Sequence, residues 1–158
     1  MTYKQTISFS KALEKIKHYC VYQERSHFEV RNKLFSWGIY ANEVEQIIAQ
    51  IITENFLNEE RYSKALVSGK FKIKKWGKNK IIAKLRHQNI SKYCIVKGLE
   101  EIDGEEYLKT FLELLKKKWK NTSEINQLKK KGKVCRYLIG KGYESELIYS
   151  HIDKFANE

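Results

Sequence analysis

Apolar residues recur along this chain at intervals of three and four and almost never alternate, a pattern that predicts helices and little strand. The clearest signal is a repeat. Three segments align on Leu34, Leu85 and Leu138: Asn32-Lys33-Leu34-Phe35-Ser36-Trp37-Gly38-Ile39, Ala83-Lys84-Leu85-Arg86-His87-Gln88-Asn89-Ile90 and Arg136-Tyr137-Leu138-Ile139-Gly140-Lys141-Gly142-Tyr143. Four residues after each leucine stands Gly38, Asn89 or Gly142, followed by Ile39, Ile90 or Tyr143. Glycine and asparagine suit the left-handed residue that ends a helix, and the apolar residue after it can fold back on that helix. Farther on, Val44, Ile95 and Ile148 precede Ile48, Leu99 and Ile152 by one helical turn, marking the buried face of a second helix. Ser91 and Ser145 suit the start of that second helix, as does Asn42 in the first copy.

Upstream of each pair lies another helical stripe. Its members are Leu13, Ile16, Tyr19 and Cys20 in the first copy, and Tyr62, Ala65, Leu66 and Ile73 in the second. In the third they are Tyr107, Phe111, Leu112, Leu115 and Trp119. Phe71-Lys72-Ile73-Lys74 alternates too briefly to read as a strand. The expected fold is all-α: three tandem three-helix repeats over 1–56, 57–103 and 104–158, stacked into an elongated, curved helical solenoid. A unit of about 50 residues buries a thin core alone, so neighbouring copies must support one another.

Composition agrees with this reading. The 158 residues contain no proline and eight glycines, too few for a turn-rich β-sandwich or disordered linkers. The densest apolar run, Ile47-Ile48-Ala49-Gln50-Ile51-Ile52, is far too short to span a bilayer. The opening Met1-Thr2-Tyr3-Lys4-Gln5 has no apolar signal core. A soluble cytoplasmic protein is expected, and a repeat protein with closed ends is expected to be monomeric. Cys20, Cys94 and Cys135 are odd in number and widely spaced, as reduced thiols would be.

The formal charge of +12 is concentrated in one segment. From Arg61 to Leu99 there is no acidic residue and there are twelve Lys or Arg, as many as the whole net charge. A charge run is usually a solvated helix face, but solubility does not require a single sign over so long a stretch. A polyanionic partner is expected instead. The densest part runs Lys70-Phe71-Lys72-Ile73-Lys74-Lys75-Trp76-Gly77-Lys78-Asn79-Lys80, followed by Lys84 and Arg86. Gly77 predicts a break there, with the later lysines opening the next helix. Trp76 offers a stacking face for a nucleobase, or closes a helix end against the core, as its neighbour Gly77 favours. A second group, Lys116-Lys117-Lys118, Lys120, Lys129-Lys130-Lys131 and Lys133, flanks Asn121-Thr122-Ser123-Glu124, which reads as a helix start capped by Thr122 or Ser123.

Catalytic and cofactor signatures are missing. There is no CxxC pair, no second ligand at metal spacing from His18, His27, His87 or His151, and no Walker loop, dinucleotide fingerprint or nucleophile elbow. The paired acids Glu59-Glu60 and Glu105-Glu106 fall at helix starts, where they complement the dipole. The pattern argues against an enzyme, a cofactor, a small-molecule substrate or a membrane partner.

Three ordered segments carry a family resemblance. Arg25-Ser26-His27-Phe28-Glu29-Val30-Arg31-Asn32-Lys33-Leu34 resembles the opening signature of the RecX family of recombinase regulators. Phe56-Leu57-Asn58-Glu59-Glu60-Arg61-Tyr62 is similar to that family's junction between first and second repeats, and Trp76-Gly77-Lys78-Asn79-Lys80-Ile81 with Leu85 and Asn89-Ile90-Ser91 to its central repeat. The family commonly has proline where Lys78 stands, often an acid where Lys84 stands, and leucine where Val30 stands. The resemblance implies a tandem three-repeat protein that lies in the groove of RecA filaments on DNA, inhibits their recombinase, ATPase and coprotease activity, and thereby regulates DNA repair and the SOS response. Some direct affinity for nucleic acid is implied too. Carried onto this chain, the binding residues are Arg25, Arg31 and Lys33 in the first repeat. In the second they are Arg61, Tyr62, Lys74, Lys78, Lys80, Lys84 and Arg86, to which the basic run itself adds Lys72, Lys75 and Trp76. Arg25 could instead pair with Glu29, and Arg61 with a neighbouring helix.

Overall fold

The computed structural model describes residues 7–157; the opening stretch Met1-Thr2-Tyr3-Lys4-Gln5 lies outside them. Among the described residues there are nine α-helices and no strand. They are α1 Phe9–Tyr22, α2 His27–Ser36, α3 Ala41–Thr53, α4 Glu59–Lys72, α5 Lys78–His87, α6 Lys92–Leu99, α7 Gly104–Asn121, α8 Gln127–Lys141 and α9 Ser145–Ala156.

The repeated helix ends form as the pattern predicts. Gly38, Asn89 and Gly142 take φ of 83°, 57° and 102°, the left-handed region. The residue after each returns its N–H to the aligned leucine: Ile39 to the Leu34 carbonyl at 3.2 Å, Ile90 to Leu85 at 3.1 Å and Tyr143 to Leu138 at 3.1 Å. All six side chains of these pairs are buried, so the turn that stops the helix also fastens its core residues.

Helix starts follow the pattern less closely. Ser91 does cap α6, its Oγ accepting the Cys94 N–H at 3.2 Å. Asn42 lies inside α3, whose N-cap position is Tyr40, and Ser145 is the first residue of α9 behind Glu144; neither start has a side-chain cap. The stretch Asn121–Glu124 is a helix end. Thr122 Oγ1 donates to the Lys118 carbonyl at 2.6 Å, and α8 starts later, where Asn126 Oδ1 accepts the Lys129 N–H at 3.1 Å.

The helices form two compact units. One comprises the described residues through Ala65 with Leu85–Lys97; the other comprises Leu66–Lys84 and the residues from Gly98 onward. Helices α4 and α5 each contribute to both. In the first unit Ala12, Ile16, Val30, Leu34, Val44, Ile47, Ile51 and Leu57 form the centre of the core. There α4 adds Tyr62 and Ser63, whose Oγ donates to the Cys94 carbonyl at 2.6 Å, and α5 adds Gln88, which accepts from Ser26 Oγ at 2.7 Å. In the second unit Phe71 of α4 and Ile81 of α5 are buried, as are Tyr107, Phe111, Leu115, Leu138, Tyr143, Ile148 and Ile152. The buried face of α4 is therefore Tyr62, Ser63, Val67 and Phe71; Ala65 is exposed, and Ile73 falls beyond the helix and is 77% exposed.

Candidate nucleic-acid interface

The most basic part of the chain is the turn joining α4 to α5, and its backbone is held by the turn joining α8 to α9, within the second unit. After α4 ends, Lys75 takes a left-handed φ of 59°, and Trp76 donates its N–H to the Lys70 carbonyl at 3.1 Å. Gly77 N–H then donates to the Lys141 carbonyl at 2.8 Å and Asn79 N–H to the Gly142 carbonyl at 2.9 Å. Tyr143 Oη donates to the Lys75 carbonyl at 2.8 Å, and Lys141 Nζ to the Lys74 carbonyl at 3.1 Å. Gly77 was expected to break the helix. Lys75 supplies the left-handed residue instead, and Gly77 permits a close approach of two backbones.

Beneath this turn lies an aromatic cluster. Tyr107 packs against Phe71 and Tyr143, with ring centroids 5.7 and 5.3 Å away, and Phe111 packs against Tyr143 at 5.4 Å. Tyr107 Oη accepts the Lys78 N–H at 3.0 Å and donates to Glu144 Oε1. Burial, followed by the Glu144 carboxylate, pushes the Tyr107 phenol well above its ordinary range, so it stays protonated and keeps this donor role.

The rigid turn presents cations outward. Lys72, Lys74 and Lys75 are exposed. Lys70 and Lys80 place their Nζ atoms 4.8 and 4.4 Å from the centre of the Trp76 ring, and Lys78 Nζ lies 4.8 Å from that of Tyr107. Among the described residues none of these lysines, nor Lys84 in the same unit, takes part in an ion pair. Trp76 is half-buried, its ring lying against alkyl-ammonium chains. The arrangement can accept several phosphates with its charges uncommitted, and it contains no nucleophile paired with a base.

The other expected residues lie in the first unit, and all but Arg86 are turned toward their own fold. Arg61 is the most committed. Its Nε meets Glu24 Oε1 at 2.5 Å, Nη1 donates to Asn55 Oδ1 at 3.2 Å, and Nη2 donates to the Asn55 and Phe56 carbonyls at 3.1 and 3.3 Å. Tyr62 is buried and donates to Glu29 Oε1 at 3.2 Å; burial and then Glu29 raise its phenol pKa. Arg31 forms a forked pair with Glu45 at 2.9 and 3.2 Å. Arg25 bonds the Tyr19 carbonyl at 3.0 Å and stacks 3.7 Å from its ring centre, where Glu29 had been the other expected partner. Lys33 lies over Tyr19 and Trp37, and Arg86 is exposed.

The braces of the basic turn, Lys141, Tyr143, Tyr107 and Glu144, were not among the expected residues. The alignment of Gly142-Tyr143 with the other helix ends signalled their turn but not what it would hold. Among the described residues no group of His, Cys, Asp and Glu could hold a metal ion, and no helix is long and apolar enough to cross a membrane.

Known proteins share this architecture and its sequence pattern. Residues 58–99 match the model of the second three-helix domain of RecX, and residues 105–152 that of the third. The regulatory protein RecX of Lactobacillus johnsonii is 25% identical over 91% of this chain, which covers 53% of that relative. The Clostridium beijerinckii regulatory protein RecX is 30% identical over 80% of this chain and 59% of its own length. The chain thus spans little more than half the length of these two curated relatives. The crystal structure of RecX from Lactobacillus salivarius superimposes with a TM-score of 0.81 at 22% identity, covering 94% of this chain and 96% of that one. At that identity the likeness carries the fold.

Proposed function

Because the chain belongs to the RecX family, we propose that it is a non-enzymatic regulator of recombination that binds a RecA filament on DNA and restrains strand exchange, ATP hydrolysis and coprotease activity. The observation that carries this reading is the braced α4–α5 turn, whose exposed Lys72, Lys74 and Lys75 have no acidic partner among the described residues. The carbonyls of Lys74 and Lys75 and the N–H groups of Gly77 and Asn79 are tied to the α8–α9 turn, so binding a phosphate backbone orders few additional groups. The lysines act as phosphate ligands or meet acidic recombinase residues along the groove. Arg25, Arg31, Lys33, Arg61 and Tyr62 act mainly by holding the first unit in shape, with Arg86 exposed to add a contact. Free cysteines and the proposed nucleoprotein partner support a cytoplasmic location.

A strand-exchange and ATPase assay of RecA with added protein tests this directly. Both activities fall at stoichiometric amounts and moderate salt; if both are unchanged, the reading is wrong. The same lysines favour a second reading, a general nucleic-acid-binding module without a recombinase partner. Equal, steeply salt-dependent affinity for naked DNA and for filament would select it.

A further inference from the structure

The face of α7 turned away from the core holds an apolar groove that the proposed filament contact does not use. It encloses about 490 Å³ beside the side chains of Leu108 and Leu112, with Phe155 of α9 closing one side. Leu108 is 38% exposed although it sits within a long helix, in its second turn. Four charged residues flank the groove, alternating in sign along the helix: Glu105, Lys109, Glu113 and Lys116. All four are exposed, and among the described residues none of them forms an ion pair.

We propose that this face is a docking surface for a second copy of the chain, with the two α7 helices antiparallel about a two-fold axis level with Thr110 and Phe111. The charge pattern selects that arrangement. Antiparallel pairing sets Glu105 against Lys116 of the second copy, Lys109 against its Glu113, and Leu108 against its Leu112. The midpoints of these three pairs fall within one residue of each other, about 1.5 Å of helix rise, so one axis satisfies all of them. Parallel pairing in register would oppose like charges. The helix dipole accounts for Glu105 near the start and Lys116 near the end. It does not account for Lys109 before Glu113 in the middle, nor for a leucine stripe left open between them. A single helix pair is small beside a standard interface, so the association is reversible and in the micromolar range. It departs from the monomer expected of a closed repeat protein, and it holds whatever the filament contact proves to be.

Sedimentation equilibrium of the full chain tests it. A monomer–dimer equilibrium is expected, weakening as salt rises from about 50 to about 500 mM because the flanking pairs are exposed. The double variant Glu105→Lys with Glu113→Lys weakens association by about tenfold or more. Adding Lys109→Glu and Lys116→Glu reverses every charge but restores complementarity, and association returns to within about threefold of the original. Leu108→Glu, at an exposed position, abolishes it while the helical circular dichroism is unchanged. A chain that remains monomeric at about 200 μM in low salt overturns the proposal, as does a dimer indifferent to the double reversal or a folded four-charge variant that fails to recover.

Discussion

Gly77 lies against the backbone of Gly142 so closely that a Cβ on Gly77 would stand 2.3 Å from the Gly142 carbonyl carbon. The two turns they occupy cannot separate without losing the bonds from Gly77 N–H to Lys141 and from Asn79 N–H to Gly142. Gly77→Ala therefore destabilises the protein by about 2 kcal/mol or more, because rigid backbone must give way. Gly142→Ala adds strain at a φ of 102° to a collision with Lys80, whose Cβ would stand 2.4 Å from the new one, and costs at least as much. Denaturant unfolding of both variants measures this.

Lys75 holds a left-handed φ of 59° that glycine would adopt freely. Lys75→Gly raises stability by up to about 1 kcal/mol, the steric cost removed outweighing the conformational freedom that glycine adds to the unfolded chain. If the lysine is kept for its charge, the same variant lowers affinity for filament or DNA. Unfolding and binding measured on one preparation move in opposite directions; a variant weaker in both assigns Lys75 a structural role.

Arg61 and the exposed lysines separate in the other sense. Arg61→Ala leaves Glu24 without its cation and two backbone carbonyls without donors, which costs about 2–3 kcal/mol. Lys72→Glu, Lys74→Glu and Lys75→Glu change stability by about 0.5 kcal/mol or less. Binding responds instead: removing these three cations flattens the dependence of log affinity on log salt by up to about 2.7 on duplex DNA and about 2 on single strands. Titrations at several salt concentrations check the slopes.

Cys20 gives stability a definite alkaline limit. Burial pushes its thiol from an ordinary 9.0 to about 11, so the folded chain holds a proton that the unfolded chain releases sooner. Its contribution is complete below pH 9 and is lost as pH rises from 9 toward 11. The buried phenols of Tyr62, Tyr107 and Tyr143 are also raised and add a loss of the same sign that begins near pH 10. Unfolding measured from pH 8 to 11 should decline less steeply for Cys20→Ala over that window.

What was legible in the sequence, and what was not, follows the range of the interaction. Gly38, Asn89 and Gly142 could be read as helix ends because the steric rule acts within one turn, and Ser91 could be read as a cap for the same reason. The α7–α8 junction was misplaced because Thr122 bonds backward to Lys118, a choice among hydroxyl partners that residue type does not decide. Val67 escaped the α4 stripe because that helix changes the core it serves partway along, so no single face describes it. At the site, charge density located the α4–α5 turn. It did not distinguish Lys74, whose side chain is free of acids, from Arg61, whose partners Glu24 and Asn55 are brought to it only by folding. Gly77 was read as a helix breaker because Gly142 is distant in the chain.

The way α4 and α5 each serve two cores also bears on how such a protein can diversify. Tyr62 and Gln88 belong to one core, Phe71 and Ile81 to the other. The middle repeat is thus not a cassette that gene shuffling could exchange whole, because a foreign copy would bring ill-fitting halves to two cores at once. Divergence must run through matched substitutions within each core, while the lysines outside both cores are left free to drift toward a new partner.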